Sequence, residues 1–219
     1  MQGARLSAAV LKLSNRYERE RASNMSNVLI LGANGSVACV AIDLFLKEND
    51  AKLTLYLRDA RRVRHVDAAR VRVVEGDVLD TAKLTEVMAG QDVVYANLAG
   101  DLERMARSVV TAMNETGVRR LIWISSMGIY DEVSGEKHGS ILDPYRKSAG
   151  VVEASDIDYT ILRPAWFTGA DEIDYETTQK GEPFRGDAVS RKSIAALVVK
   201  LAESPELEVR RSLGVSKPE

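Results

Sequence analysis

The sequence contains very few of the residues that build disulfide frameworks or metal centres. Its 219 residues include one cysteine, Cys39, and two histidines, His65 and His138. A single cysteine excludes an internal disulfide, and so few thiol and imidazole groups argue against a bound metal. Its apolar neighbours predict that Cys39 is a small buried side chain, and the histidines are expected on the surface.

Long apolar runs and a large excess of one charge are also missing. No run approaches the roughly 20 apolar residues that a membrane-spanning helix needs. The chain mixes 30 basic with 32 acidic residues, for a formal net charge of -2. It shows neither a basic stripe nor a helix-turn-helix pattern. We therefore expect a soluble, cytoplasmic protein without a membrane or nucleic-acid partner; a homodimer is compatible with the sequence.

The first 24 residues differ in composition from the rest of the chain. They are rich in arginine, but Glu18 and Glu20 and the lack of a long apolar core argue against a targeting peptide. We predict that residues 1–24 form a helical or disordered extension. Residues 25–219 are predicted to form one domain whose small C-terminal portion lies on the substrate side.

From residue 27 onward, short apolar runs alternate with segments of helical period. Strands are predicted at 28–31, 52–57, 71–75, 92–97, 121–125 and 159–162, with a further one at 209–215. Helices are predicted at 36–47, 81–88, 102–116, 145–155 and 193–202, and the Gly- and Ser-rich residues 128–144 as a long loop. This alternation predicts an α/β fold with a Rossmann-type, doubly wound parallel sheet in three α/β/α layers.

Small residues follow the first predicted strand at a fixed spacing. In VLILGANGSVA, the positions Gly32, Gly35 and Ala38 form a G-x-x-G-x-x-A series between strand and helix. A diphosphate needs a sharp turn there, close approach to main-chain N–H groups and tight packing of helix on strand. A plain tight turn would also use glycine, so the position after the first strand is what favours a dinucleotide site.

The end of the second strand carries basic residues. Arg58 is the first residue beyond the strand, where nucleotide-binding sheets place the group that contacts the adenosine ribose. A guanidinium can pair with a 2′-phosphate through two hydrogen bonds, so Arg58 favours NADP(H), with NAD(H) as the alternative. Asp59 could instead accept from the ribose hydroxyls, and a solvated basic turn is the structural alternative.

These segments together resemble the atypical short-chain dehydrogenase/reductase family, of the NmrA-like NAD(P)-binding type. The resemblance rests on GANGSVA, the arginine after the second strand, EGDVLD at 75–80, SSMGIY at 125–130 and ASDIDYTILRPAWF at 154–167. It covers the chain from about residue 27 and implies a bound NAD(P) along the strand ends, with a small-molecule substrate beside it.

The resemblance also implies which residues contact the cofactor. The diphosphate is assigned to the glycine loop, the adenine to the turn after the third strand, and the ribose and nicotinamide to residues after the fourth, fifth and sixth strands. The implied contacts are Gly32, Asn34, Gly35, Ser36, Val37, Asp77, Val78, Asn97, Leu98, Ala99, Ser125 or Ser126, and Pro164.

The catalytic pattern of the family is where this sequence departs. Standard members pair a tyrosine with a lysine four residues later, which lowers the pKa of the phenol. Here Tyr145 is followed by Lys147 only two residues on, and Tyr130 has Ser134 at the fourth position. Ser126, Tyr130, Tyr145 and Lys147 are therefore the candidate catalytic residues, without a recognisable acid–base pair.

The leading hypothesis is an NADP(H)-dependent reductase that transfers hydride to a small organic carbonyl or quinone, with a proton from Tyr130, Tyr145 or water. A cofactor-sensing regulatory protein without catalysis and an NAD(P)-dependent epimerase or isomerase are the alternatives. Trp166 and Phe167 follow the sixth strand, where core packing is the default and a substrate floor the alternative.

Overall fold

The computed structural model describes residues 26–63, 67–133 and 139–218. The first half of the chain forms β1 (Asn27–Leu31), α1 (Ser36–Glu48), β2 (Lys52–Leu57), β3 (Val71–Glu75), α2 (Thr81–Met88), β4 (Val93–Ala96) and α3 (Leu102–Thr116). The second half forms β5 (Arg120–Ile124), α4 (Asp143–Glu153), β6 (Asp158–Pro164), β7 (Trp166–Thr168), β8 (Glu176–Gln179), β9 (Ala188–Ser190), α5 (Arg191–Glu203) and β10 (Arg211–Ser216). The predicted extension over 1–24 and both histidines lie outside the described residues.

The main sheet has eight strands in the order β3-β2-β1-β4-β5-β6-β10-β8. The first seven strands of this order run parallel, and β8 pairs antiparallel with β10 at the edge. The strand order reverses between β1 and β4, which places a crevice beyond their carboxyl ends. The predicted doubly wound parallel sheet is confirmed.

Side chains of β1 alternate between two cores, as the period of a strand requires. Val28 and Ile30 pack into the core that includes buried residues of α1 and α5. Leu29 and Leu31 face the other core, which includes buried residues of α2, α3 and α4. Helices therefore cover both faces of the sheet, which confirms the predicted three α/β/α layers.

The five described α-helices all lie where the sequence predicted a helix. Gly117 ends α3 in a left-handed conformation with φ 75°, as the sequence indicated. Helix α4 begins at Asp143, two residues before the predicted start, because Pro144 fits the first turn of a helix. None of the helices in the described ranges is long and apolar enough to cross a lipid bilayer.

Three features of the sequence were read wrongly or missed. Cys39 is exposed, because it lies off the face of α1 on which Ala38 and Ala41 are buried. Trp166 and Phe167 are not core residues: 65% and 39% of their surfaces are exposed. The short strands β7, β8 and β9 were not predicted, and β7 and β9 form a separate two-stranded sheet.

Candidate functional site

An open groove of about 260 Å³ lies at the carboxyl ends of β1 and β4, where the strand order reverses. It is formed by the turns that follow β1, β2, β3 and β4. Nine of the residues predicted to bind the cofactor line it together: Gly32, Asn34, Gly35, Arg58, Asp77, Val78, Asn97, Leu98 and Ala99. The groove is therefore built from segments that lie far apart in the sequence.

Two glycines allow the turn after β1 to approach the turn after β4 closely. Gly32 has φ +73°, and a Cβ there would lie 2.2 Å from the Asn97 main-chain oxygen. A Cβ on Gly35 would lie 2.1 Å from Asn97 Nδ2. Because no other residue fits either contact without movement, the glycines keep main chain exposed at the base of the groove.

Helix α1 begins at this turn without a side-chain cap. The N-cap residue is Gly35, which has no side chain to accept a hydrogen bond from the first turn. That turn also contains no acidic residue. By contrast, Asp80, Asp101 and Ser190 cap α2, α3 and α5. The unpaired N–H groups and the positive end of the helix dipole at α1 therefore favour an anionic ligand.

The end of the groove beside β2 is positively charged. Arg58 and Arg62 both line it, and no ion pair within the described ranges involves either of them. Asp59 is held by Arg61, whose Nε and Nη2 donate to the carboxylate at 2.8 and 3.1 Å. This contact holds the pKa of Asp59 below its usual value.

The floor beneath this end is formed by Tyr56 and the turn after β3. The Tyr56 hydroxyl donates to the main-chain oxygen of Asp77 at 3.0 Å, and the Asp77 carboxylate accepts from Leu79 N–H at 2.9 Å. Gly76 packs so closely on the Tyr56 ring that a Cβ would lie 2.3 Å from its oxygen. Burial, together with Asp80 and Asp77, raises the pKa of Tyr56 to about 12.

Four predicted cofactor contacts lie outside the lining of this groove. Ser36 is exposed at the start of α1, and Val37 is buried behind it. Ser125 follows β5 and Pro164 ends β6, where both are buried. The Ser125 hydroxyl has no hydrogen-bond partner among the described residues, which leaves a buried donor at the carboxyl edge of the sheet.

The candidate catalytic side chains do not form a tyrosine–lysine pair. Tyr145 is partly buried in the first turn of α4, whereas Lys147 is exposed. Residues two apart on a helix point in nearly opposite directions, so the two side chains diverge. Ser126 donates through Oγ to the main-chain oxygen of Met127 at 3.1 Å.

Tyr130 is engaged in a polar cluster instead. Its hydroxyl lies 2.7 Å from Glu153 Oε1 and 3.2 Å from Ser212 Oγ. The Arg163 guanidinium and the Lys180 ammonium lie over its ring, at 5.2 and 4.2 Å from the centroid. Burial raises the pKa of Tyr130 above its usual value, the opposite of the shift that aids proton transfer near neutral pH.

Sequence reasoning missed Tyr56 and Met105 as groove residues and the ion pair between Arg163 and Glu132. Arg163 is fully buried in β6, and its charge directly after the run YTIL in the same strand was a signal for a buried partner. Tyr56 carries no such signal, because it lies between Leu55 and Leu57 in what reads as an ordinary buried strand.

The fold and the groove define an NAD(P)-binding Rossmann protein. The model of the NAD(P)H-binding family matches residues 32–205, and the chain belongs to this family. Three features fit a dinucleotide phosphate: main chain exposed by glycines, an uncapped helix start, and two arginines that have no ion pair among the described residues. NAD(P)H is the cofactor, and the resemblance to atypical short-chain dehydrogenase/reductases is confirmed; the NmrA-like subtype stays a prediction.

Solved structures agree with this assignment. A Rossmann-fold NAD(P)-binding family protein from Shigella flexneri is 42% identical, with a TM-score of 0.81 over 89% of this chain and 94% of that one. A short-chain dehydrogenase/reductase from Veillonella parvula in complex with NADP is 28% identical, with a TM-score of 0.80 over 88% of this chain and 95% of that one.

One relative of this chain is an enzyme whose name states its activity. The NAD(P)H azoreductase of Xenophilus azovorans is 24% identical over 142 residues, which is 64% of this chain and 48% of the azoreductase. The chain therefore spans about half the length of this relative.

Proposed function

We propose that the protein is an NADP(H)-dependent reductase that transfers hydride from NADPH to a small organic carbonyl or quinone. The observation that carries the proposal is that one groove joins the glycine loop and Asn97 to Arg58 and Arg62 after β2, neither of which forms an ion pair with another described residue. The NAD(P)H azoreductase among its relatives supports the reductase class. Bound NADPH would supply the hydride.

The preference for NADPH is assigned to Arg58, with Arg62 beside it. Both arginines line the groove, and the neighbouring carboxylate of Asp59 is already paired with Arg61. A carboxylate free to accept from two ribose hydroxyls would favour NADH, whereas free guanidinium groups favour a 2′-phosphate. This charge arrangement supports NADPH as the physiological form.

Replacing Arg58 by glutamine tests this preference. We expect Arg58→Gln to weaken NADPH binding by about tenfold or more, because charge-assisted hydrogen bonds are lost, and to change NADH binding little. Fluorescence titration with both nucleotides measures the ratio. Lys52→Gln is the matched control, since Lys52 is exposed at the opposite end of the same strand. Equal losses for NADPH and NADH would contradict the assignment.

The substrate is proposed to lie between the residues after Ser126 and the segment from Trp166 to Glu182. Trp166 and Phe167 leave the carboxyl edge of the sheet directly after Pro164 and Ala165, and both are exposed. An exposed aromatic pair beside a cofactor site favours a flat, conjugated acceptor, which stacks on ring faces.

Tyr145 or water is proposed to supply the proton, in preference to Tyr130. Helix α4 follows β5 and begins at the carboxyl edge of the sheet, so Tyr145 in its first turn lies on the cofactor side. The Tyr130 hydroxyl, in contrast, is already held by Glu153.

Phenylalanine variants distinguish the two tyrosines. We expect Tyr145→Phe to lower kcat with a carbonyl substrate by about 100-fold or more, as for loss of a general acid. Tyr130→Phe serves as the control and should stay within a few-fold of the wild type. Steady-state NADPH oxidation gives both values. Loss of activity only in Tyr130→Phe would refute Tyr145 as the proton donor. If both variants stay active, water is the proton donor.

A cofactor-sensing regulatory protein is the second candidate. The observation that favours it is the divergence of Tyr145 and Lys147, which leaves no tyrosine–lysine pair among the candidates. Oxidation of NADPH in the presence of quinones, aldehydes, ketones and an azo dye separates the two functions. Turnover with any of them supports the reductase; tight NADPH binding with no oxidation supports the sensor.

A further inference from the structure

Arg191 joins the cofactor loop to the strand that carries the exposed aromatic residues. It is the first residue of α5, and its Nε donates to Ser36 Oγ at 3.2 Å, at the start of α1. Its Nη1 donates to the main-chain oxygen of Thr168 at 2.9 Å, and its guanidinium lies 5.5 Å from the centre of the Phe167 ring. These two hydrogen bonds use only some of the N–H donors of the guanidinium.

The position is electrostatically unfavourable without an anion. Arg191 lies at the positive end of its own helix, and its guanidinium reaches the positive end of α1; neither first turn contains an acidic residue. The nearby acids are paired elsewhere: Asp171 with Lys192, and Glu172 with Lys217. Within the described ranges, Arg191 forms no ion pair.

We propose that Arg191 binds the diphosphate of NAD(P)H, from the side opposite the groove arginines. The guanidinium would pair with diphosphate oxygens above the first turn of α1, where Ser36 fixes its orientation. Two arginines then recognise different parts of one dinucleotide: Arg58 the ribose phosphate and Arg191 the diphosphate. The inference rests on the cofactor site of the proposed function and adds a residue from the C-terminal half of the chain.

The same contact links the cofactor to the substrate side. Since the guanidinium that would hold the diphosphate also bonds to Thr168 and packs on Phe167, it fixes β7 relative to the cofactor. Loss of Arg191 should therefore affect substrate binding as well as cofactor binding, whereas loss of Arg58 should affect only the cofactor.

Nucleotide binding to Arg191→Gln tests the inference. We expect Kd for NADPH and for NADH to rise by a similar factor, about 10- to 100-fold, because both carry the diphosphate. Binding of adenosine 2′-monophosphate, which lacks the diphosphate, should stay within twofold of the wild type. Lys192→Gln is the matched control: it removes one positive charge from the same helical turn, and its ammonium pairs with Asp171.

Every outcome bears on the proposal. Equal Kd values for Arg191→Gln and Lys192→Gln would overturn it while leaving the proposed reductase intact. Failure of the wild type to bind either dinucleotide would overturn both. A loss for NADPH alone would assign Arg191 to the ribose phosphate and overturn it too. If Arg191→Gln does not fold, Arg191→Lys decides: partial retention of affinity for both dinucleotides supports the proposal, and full retention contradicts it.

Discussion

Close contact between Gly32 and Asn97 sets the shape of the glycine loop after β1. The peptide hydrogen bond from Asn97 N–H to Leu31 O holds the turn after β4 against the end of β1. Gly32 must then adopt a left-handed conformation beside a main-chain oxygen. The glycine therefore serves two purposes: it permits the backbone angle and leaves room for the neighbouring strand end.

Alanine at Gly32 should cost both stability and cofactor binding. The left-handed backbone alone costs about 1–2 kcal/mol for a residue with a Cβ, and the contact with Asn97 adds to that cost. Gly90→Ala is the control, because Gly90 has φ +77° with open space around it. In urea unfolding, Gly32→Ala should lose more stability than Gly90→Ala. In NADPH titration, only Gly32→Ala should lose affinity. Equal behaviour of the two variants would refute the packing argument.

At the scale of elements, one buried carboxylate organises the region after β5. Glu132 pairs with Arg163 of β6 and accepts from the N–H groups of Gly128 and Tyr130 at 3.1 and 2.8 Å. The main-chain oxygen of Glu132 accepts from Phe184 N–H at 3.1 Å. Glu132 thereby connects the loop after β5 with β6 through the ion pair and with the segment before β9 through its main chain.

Removing the charge of Glu132 should strongly destabilise the fold. Glu132→Gln leaves the fully buried Arg163 without a counterion, which we expect to lower the free energy of unfolding by about 3–5 kcal/mol. Glu103→Gln is the control, because its pair with Arg107 is exposed on α3 and should contribute at most about 0.5 kcal/mol. Urea unfolding compares the two; similar small losses would show that the buried pair is not needed.

At the scale of the whole molecule, buried tyrosines determine how stability responds to alkaline pH. Burial raises the pKa values of Tyr56, Tyr95 and Tyr130 in the folded chain. In the unfolded chain these phenols lose their protons near pH 10. Above that pH the unfolded state therefore binds fewer protons than the folded state, and stability falls as pH rises.

We therefore expect the contribution of these tyrosines to the free energy of unfolding to be constant well below pH 10 and to fall between pH 10 and about 12, the range set by Tyr56. Urea midpoints measured across this range, with tyrosinate absorbance as a parallel signal, would test it. Tyr56→Phe should show a shallower fall, since one raised pKa is removed. A flat profile above pH 10 would contradict the burial of the phenols.

The sequence predicted most of the secondary structure correctly, because long periodic segments encode it locally. The main strands and all five described helices were found from apolar period alone. Strands β7, β8 and β9 were not, because three or four residues are too few to show a period. Their position depends on pairing with segments distant in the chain, such as β8 with β10.

The same division holds for the candidate cofactor site. The glycine turn, the arginine after β2 and the order of strands and helices follow from the amino-acid sequence, because each depends on neighbouring residues. Three contacts are visible only in the folded chain: Gly32 with Asn97, Glu153 with Tyr130, and Arg191 with Ser36. Those contacts join segments that lie far apart in the chain, at the reversal of strand order and where α5 packs beside α1. Packing between distant segments leaves no periodic signal in the sequence, so the sequence does not predict it.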